Sequence, residues 1–277
     1  MKRELDEKTV IERSIIKKYR KTIWNNFIGA VKEYELINAG DKIAVCISGG
    51  KDSMLMAKCF QQLQKFSDVP FSLVFMVMDP GYNKENRELI IANSQKLGIE
   101  IDIFESDIFD IANSSGGSPC YLCARMRRGC LYSHAKAIGC NKIALGHHFN
   151  DVIETVLMSM MYSSEIKTML PKLKATNFEG MELIRPLYKV KEQDIISWAN
   201  YNNLRFLQCA CRFTEKSEEF EDLSKRREIK KLIAEIKNKN PHVDDNVFRS
   251  IHNVNLATLP AYRDRDGGAL HSFLEKY

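Results

Sequence analysis

The fold is decided by residues 42–53, which read KIAVCISGGKDS. Six mostly apolar residues predict a buried strand, the glycine pair predicts a tight turn, and the residues after it predict the start of a helix. Glycine lets the backbone approach a ligand closely, and a helix start offers free N–H groups to an anion. Lys51 adds a positive charge, while Ser48 and Ser53 add hydroxyl donors. The stretch predicts a phosphate-binding loop; a strand–turn–helix junction whose glycines serve packing is the alternative.

This loop differs from the Walker A motif. Walker A would require Gly at position 45 and Ser or Thr at position 52, where this chain has Val45 and Asp52. No Gly-x-Gly-x-x-Gly pattern follows the strand either. The loop therefore belongs to another class of phosphate-binding turn.

Strands and helices alternate four times outward from the loop. This order predicts an α/β fold with a parallel sheet and helices on both faces. We expect an N-terminal helical segment at 1–38, a central domain at 39–215 and a basic helical C-terminal appendage at 216–277. The expected strands are 42–47, 72–78, 100–104 and 142–145, and the expected helices are 8–38, 52–64, 86–97, 124–138 and one that starts near 150.

Composition and charge place the chain among soluble globular proteins. Of its 277 residues, 44% are hydrophobic and 28% are charged, and no apolar run approaches the roughly 18 residues of a membrane span. The N-terminus is charged and shows no signal peptide, so we expect a cytoplasmic protein without membrane contact. The net charge is +5, and basic runs occur at 17–21 and 224–239. These runs are either solvated helix faces or a surface for a polyanion such as nucleic acid.

Four of the eight cysteines form two close pairs. Cys120 and Cys123 are spaced Cys-x-x-Cys, and Cys209 and Cys211 are spaced Cys-x-Cys. A reducing cytosol disfavours structural disulfides. Thiolates in this pattern suit an iron–sulfur cluster or a structural Cys₄ zinc site, and a redox-active disulfide between the first pair is the third option.

A second polar motif, GHHFNDVIET at 146–155, follows the fourth predicted strand. Ligands of open parallel sheets bind beyond the carboxyl ends of the strands, so this position suits a functional site. His147, His148, Asp151 and Glu154 could in principle bind a metal, but the spacing is only weakly specific for one.

The loop SGGKDS at 48–53 resembles that of the PP-loop ATP pyrophosphatases, which have a Rossmann-type fold and cleave ATP to AMP and pyrophosphate. The resemblance implies that Ser48, Gly49, Gly50, Lys51, Asp52 and Ser53 bind the departing pyrophosphate. It also implies that Asp52 helps to place Mg²⁺, because a carboxylate among phosphates needs a cation to offset the like charges. The adenine is expected near Met78 and Asp79, with Gly146 also among the nucleotide-binding residues, and Lys51, Asp52 and Asp151 are the expected catalytic residues.

Further motifs resemble the tRNA 2-thiocytidine synthetase family. They are PCYLCARMRRG at 119–129, GHHFND at 146–151 and IRPL at 184–187. The family usually has Cys-x-x-Cys where this chain has Cys209-Ala210-Cys211, and CRFT at 211–214 resembles the corresponding segment of the related 2-thiouridine-forming enzymes. The resemblance implies a [4Fe–4S] cluster on Cys120, Cys123 and Cys211, with Cys209 as the other choice for the third ligand. Asn150 stands where the family has the first of two aspartates.

The resemblance implies ATP-dependent tRNA thiolation. The C2 carbonyl oxygen of a loop cytidine, cytidine 32 in the family, would attack the α-phosphate, and sulfur carried on the cluster would then displace AMP. The expected partners are tRNA and a sulfur donor, either sulfide or a cysteine desulfurase, and a homodimer is left open. The alternatives are thiolation of another base, a PP-loop ligase that transfers nitrogen, and a zinc-stapled nucleic-acid-binding or redox-sensing protein.

Overall fold

A six-stranded, mostly parallel sheet forms the centre of the protein. The computed structural model describes residues 5–106, 119–207, 221–264 and 268–276, with the backbone only at 119–127, 221–224 and 276. The strand order is β3-β2-β1-β4-β6-β5, and only β5 runs antiparallel to its neighbour. The strands are β1 (Lys42–Ile47), β2 (Ser72–Asp79), β3 (Ile101–Glu105), β4 (Lys142–Ala144), β5 (Lys172–Lys174) and β6 (Glu182–Ile184). This architecture confirms the predicted α/β fold.

Helices alternate with these strands along the chain. The helices that the structure describes are α1 (Glu7–Arg13), α2 (Asn25–Glu33), α3 (Lys51–Phe66), α4 (Lys84–Leu97), α5 (Pro119–Ala137), α6 (Phe149–Tyr162), α7 (Glu192–Tyr201), α8 (Glu221–Lys237) and α9 (Val243–Ser250). Each predicted strand and each predicted helix of the alternating region is present. No described helix has both the length and the apolar character that crossing a lipid bilayer would require.

The predicted N-terminal helix is not uniform. Two π-helical turns, Ser14–Lys18 and Arg20–Trp24, join α1 to α2 on either side of Tyr19. The buried residues recur every fourth position, at Ile11, Ile15, Tyr19, Ile23 and Phe27. On an ideal α-helix this spacing would drift by about 160° around the axis, and the wider π turns take up that drift. One side of the segment therefore stays on the core.

The C-terminal helices pack directly on the central domain. Val152 and Ile153 of α6 share a buried cluster with Ile229 and Ile233 of α8 and Phe248 of α9. A hairpin of β7 (Ala261–Arg263) and β8 (Leu270–Ser272) follows, which the sequence pattern did not predict. The three-part division of the chain stays a prediction, but α8 and α9 share apolar core with the domain they follow.

Two lysine side chains, one on α3 and one on β4, are buried and paired with carboxylates. Lys58 is fully buried, and its Nζ lies 2.8 Å from Oε1 of Glu12. Lys142 is paired in the same way with Asp41, at 2.7 Å. Burial raises the pKa of Glu12, but the hydrogen bonds from Lys58 and Lys65 outweigh it and lower this pKa to about 2.

Replacing Glu12 by Gln is expected to lower the free energy of unfolding by about 3 kcal/mol, because the buried Lys58 ammonium loses its counter-charge. The control, Lys84→Ala, breaks an ion pair with Glu88 in which both side chains are mostly exposed. It should change the free energy of unfolding by less than about 1 kcal/mol. Urea denaturation at neutral pH measures both variants.

The same pair predicts a pH dependence. Because the fold lowers the pKa of Glu12 from 4.5 to about 2, its stabilising contribution is present above pH 4.5 and is lost as the pH falls towards 2. The stability difference between wild type and Glu12→Gln should therefore narrow over that window. A stability difference that stays constant down to pH 2 would contradict the lowered pKa of Glu12.

Candidate active site

The loop between β1 and α3 is held by its own side chains. Gly49 has a φ of +82°, and a Cβ there would lie 2.7 Å from Cγ1 of Ile90 and 2.8 Å from Cδ1 of Leu207, so both the backbone angle and the space require glycine. Ser53 Oγ donates to the carbonyl of Gly50 at 3.0 Å and accepts from the amide of Ser48 at 3.1 Å. The turn before α3 is therefore already formed by contacts within the loop, and the N-terminus of α3 faces its concave side.

A cavity of about 320 Å³ opens where β1, β2 and β4 end. Met78 from β2 and Gly146 after β4 line it together with the loop residues Ser48, Asp52 and Ser53. A Cβ at Gly146 would lie 3.0 Å from the amide nitrogen of Ser53, so the two backbones are in close contact. The structure thus brings these five predicted site residues together.

Asp79, in contrast, shapes the turn after β2. Its Oδ1 accepts from the amides of Gly81 and Tyr82, at 2.9 and 2.7 Å, and its Oδ2 lies 3.4 Å from Nε of Arg87. The side chain is engaged in the turn and does not line the small cavity.

A second cleft, of about 810 Å³, lies on the other side of the loop. The loop, α7 and residues 204–207 form its walls, and Ser48, Asp52 and Tyr82 line both this cleft and the small cavity. Asp52 therefore lies at the boundary between the small cavity and the larger cleft.

Asp52 has one carboxylate oxygen without a partner. Its Oδ2 lies 3.2 Å from Nζ of Lys51, whereas the buried Oδ1 has no hydrogen-bond partner among the described residues. The nearest ring nitrogen, Nε2 of His148, is 3.8 Å from Oδ1. Burial raises the pKa of Asp52. A buried oxygen in this condition is suited to a cation or another donor supplied by a ligand.

His148 and Asp151 cap the N-terminus of α6. The amide of His148 donates to Oδ2 of Asp151 at 2.9 Å, and the amide of Asp151 donates to Nδ1 of His148 at 3.4 Å. Because Nδ1 accepts, the proton of a neutral His148 ring sits on Nε2, which faces Asp52. The imidazole of His148 thus brings the GHHFND motif next to Asp52 of the phosphate loop.

The other oxygen of Asp151 is bound by a residue that the sequence analysis did not assign to the site. Arg226 Nη1 of α8 lies 2.9 Å from Oδ1 of Asp151 and 3.8 Å from Oε2 of Glu154. Burial raises the pKa of Asp151, but His148, His147, the capping amide and Arg226 outweigh it and lower the pKa overall. Burial raises the pKa of Glu154 to about 7 despite Arg226. Asp151 is therefore a charged anchor rather than a free carboxylate.

Glu192 at the start of α7 is a second residue that the sequence analysis did not assign. Its Oε1 lies 3.2 Å from Nζ of Lys51, and its Oε2 lies 2.5 Å from Nζ of Lys230 on α8. Asn150 Oδ1 accepts from the amide of Glu192 at 2.9 Å. Asn150, where the family resemblance led us to look for an aspartate, therefore caps α7 and fixes Glu192.

The GHHFND motif does not form a metal site of its own. His148 and Asp151 are used in capping, and the buried Nδ1 of His147 has no partner in the described part of the chain. Burial and the charge of Arg185 lower the pKa of His147 to about 4, so this ring is neutral at physiological pH. Across the described residues, no group of three or more His, Cys, Asp or Glu side chains is arranged to hold a metal.

The predicted cluster ligands are only partly within the described structure. Cys120 lies in the first turn of α5 and Cys123 at the start of the second, with their side chains outside the description. Cys209 and Cys211 lie outside the described residues altogether. Leu131, further along α5, lines the small cavity. At 1.5 Å per residue, α5 places the cysteine pair about 12 to 17 Å along its axis from Leu131.

Comparison with known proteins agrees with this arrangement. The model of the PP-loop domain family matches residues 16–230. A tRNA-cytidine(32) 2-sulfurtransferase of Geobacter sulfurreducens is 36% identical over 233 residues, which cover 83% of this chain and 88% of that protein. One from Vibrio vulnificus is 33% identical over 257 residues, which cover 92% of this chain and 81% of the relative.

Among solved structures, the U34-tRNA thiolase NcsA from Methanococcus maripaludis with its [4Fe-4S] cluster superposes with a TM-score of 0.65 at 21% identity. The match covers 83% of this chain and 78% of NcsA, and at this identity it shows a shared fold. The loop, the strand order, the family model and the curated relatives all lead to one assignment: the chain belongs to the PP-loop family and, within it, to the tRNA-cytidine(32) 2-sulfurtransferases.

Proposed function

We propose that this protein thiolates tRNA, using ATP to replace the C2 oxygen of a loop cytidine, cytidine 32, by sulfur. The observation that carries the proposal is the small cavity, where the phosphate loop, Met78, Gly146 and the unpartnered oxygen of Asp52 meet. The names of the curated relatives supply the substrate and the type of transfer.

The small cavity suits the nucleotide. Its walls beside Met78 and Leu145 come from strand ends and accept the flat adenine, while the turn at Ser48 and the free amides of α3 accept phosphate oxygens. Lys51 adds a positive charge that offsets the charge developing on the departing pyrophosphate.

Asp52 fits Mg²⁺ and Asp151 does not. The unpartnered Oδ1 of Asp52 is a hard oxygen donor beside the phosphate loop, whereas both oxygens of Asp151 are occupied by His148 and Arg226. When bound, Mg²⁺ would offset the phosphate charge. We assign Asp151 the role of holding His148 towards Asp52.

Cys120 and Cys123 fit an iron–sulfur cluster. Residues three apart share one face of a helix, and both cysteines lie within the first five residues of α5, near the positive end of the helix dipole, which stabilises thiolates. Cys211 would complete a set of three ligands. When bound, the [4Fe–4S] cluster supplies the iron that carries the incoming sulfur.

With sulfide as the sulfur donor, the proposed reaction balances without a further oxidant or reductant. The O2 atom of cytidine attacks the α-phosphate of ATP, the bond to the β-phosphate breaks, and pyrophosphate leaves. Sulfide then attacks C2, and the C–O bond breaks to release AMP. Sulfur from a cysteine desulfurase arrives as a persulfide and would first be reduced to sulfide by two electrons from a thiol. The protein binds ATP, orients the base and excludes water. A loop nucleotide is the suitable substrate because its edge is not paired.

Asp52→Asn is expected to lower the rate of 2-thiocytidine formation by ~100-fold or more, because the neutral amide cannot offset a cation at the phosphates. The thermal midpoint should not fall, since the change removes a buried carboxylate oxygen that lacks a partner. Mass spectrometry of tRNA nucleosides measures the rate, and exposed Asp68→Asn is the control. Unchanged thiolation with unchanged Mg²⁺ dependence would reject the role of Asp52.

Lys230→Ala is expected to weaken ATP binding by ~5-fold. Glu192 would then pair with Lys51 only, and this stronger ion pair would keep the Lys51 ammonium away from the phosphates. Adding Glu192→Gln to this variant should restore the affinity. Lys231→Ala, which changes the exposed neighbour, is the matched control. Equilibrium binding of ATP at fixed Mg²⁺ measures all three variants. If the double variant does not regain affinity, the proposed competition of Lys230 and Lys51 for Glu192 is refuted.

Cys120→Ala, Cys123→Ala and Cys211→Ala are each expected to lose iron and thiolation activity after anaerobic purification. Cys130→Ser, on the same helix α5, should keep both. Cys209→Ala decides the third ligand, because it should keep the iron if Cys211 binds it. Active protein that contains zinc and no iron would exclude the cluster.

A further inference from the structure

We propose that the 810 Å³ cleft between the phosphate loop and α7 is the subsite for the target nucleotide of the RNA, with Arg205 at the phosphate beside it. This inference rests on the proposed function, because it assigns the second substrate of that reaction to a place in the fold.

The position of the cleft is that of a second substrate. A reaction between ATP and an RNA base needs two spaces that meet at one point, and the cleft and the small cavity share the wall formed by Ser48, Asp52 and Tyr82. The shared wall contains the carboxylate with the unpartnered oxygen. Gly50 and Lys51 line the cleft and not the small cavity, so the pyrophosphate end of ATP would extend into the loop side of the cleft. A base on the side formed by α7 and residues 204–207 would then approach the α-phosphate at the shared wall.

The wall formed by residues 204–207 is fixed to the rest of the fold. The amide of Leu207 donates to the carbonyl of Gly49 at 3.2 Å, which joins this wall to the phosphate loop. Nδ2 of Asn93 donates to the carbonyl of Arg205 at 2.8 Å, which joins it to α4. The ring of Phe206 lies 6.3 Å from that of Trp198 with nearly parallel planes. The backbone of Arg205 is therefore pre-positioned before any ligand binds.

The lining combines flat apolar surface with unused polar groups. Ile196, Leu204 and Phe206 offer apolar surface of the kind on which an unstacked base packs. In the described part of the chain, the exposed side chains of Asn200 and Arg205 show no hydrogen-bond or ion-pair partner. An amide can both donate to and accept from the edge of a base, and a guanidinium binds phosphate in a bidentate manner.

The sequence places this cleft next to the expected third cysteine. Leu207 is the last lining residue, and Cys209 and Cys211 follow two and four positions later. The cleft is therefore adjacent in sequence to the expected third cluster ligand.

The test measures two affinities of anaerobically purified, full-length protein. Arg205→Ala is expected to raise the Kd for an anticodon stem-loop RNA by ~10-fold and to reduce the slope of log K against log salt by about 0.7 to 0.9. The Kd for ATP should change by less than about 2-fold. Asn200→Ala should weaken the RNA in the same selective way, whereas the control Arg13→Ala, on exposed α1, should change neither.

Two results would overturn the inference. If Arg205→Ala binds the RNA as Arg13→Ala does, the cleft is not the nucleotide subsite. If Arg205→Ala instead weakens pyrophosphate or ATP while RNA binding is unchanged, the side of the cleft at Arg205 takes the phosphate leaving group and not the base. Wild-type protein that binds RNA through Arg205 but forms no 2-thiocytidine would count against the proposed function alone, so the two failures are distinguishable.

Discussion

The close backbone contact between Gly146 and the first turn of α3 is the constraint on which the site depends. A single added Cβ at Gly146 would lie 3.0 Å from the amide nitrogen of Ser53 and 3.2 Å from its Cα. This contact places the end of β4 against the helix that begins at the phosphate loop. It is why His148, two residues further on, lies 3.8 Å from Asp52, and why the small cavity has walls from three strands.

Charged and polar side chains connect the site to the C-terminal helix at two points. Arg226 and Lys230 are four residues apart, hence on one face of α8, and each pairs with a carboxylate of the site. Successive polar contacts connect Lys230 to Arg226 through the site. In order, the residues are Lys230, Glu192, Lys51, Asp52, His148, Asp151 and Arg226. The basic run at 224–239 is thus partly a structural complement of the acidic site. Exposed members such as Arg227 and Lys231 remain available to a polyanion.

Much of this site could be predicted because its parts are local. The glycine turn and the positive charge of Lys51 are set by neighbouring residues. The capping pair at His148 and Asp151 is local too, but the sequence analysis did not predict it. Parallel strands bring their carboxyl ends to one edge, so Met78 and Gly146 could be assigned to the same cavity from strand order alone. The short strands β5 and β6, with the sequences KLK and ELI, were missed because they give no apolar run like the one that marked the equally short β4.

The sequence by itself determined the fold class, the phosphate loop and the family, since each rests on residue types at fixed short spacing. The tertiary structure alone decided which charges meet. Glu192 contacts Lys51 across 141 residues, and Arg226 reaches Asp151 across 75. No local pattern records such pairings, because they follow from how α7 and α8 pack on the domain. The same packing made Asp151 an anchored ion and left one buried oxygen of Asp52 without a hydrogen-bond partner among the described residues.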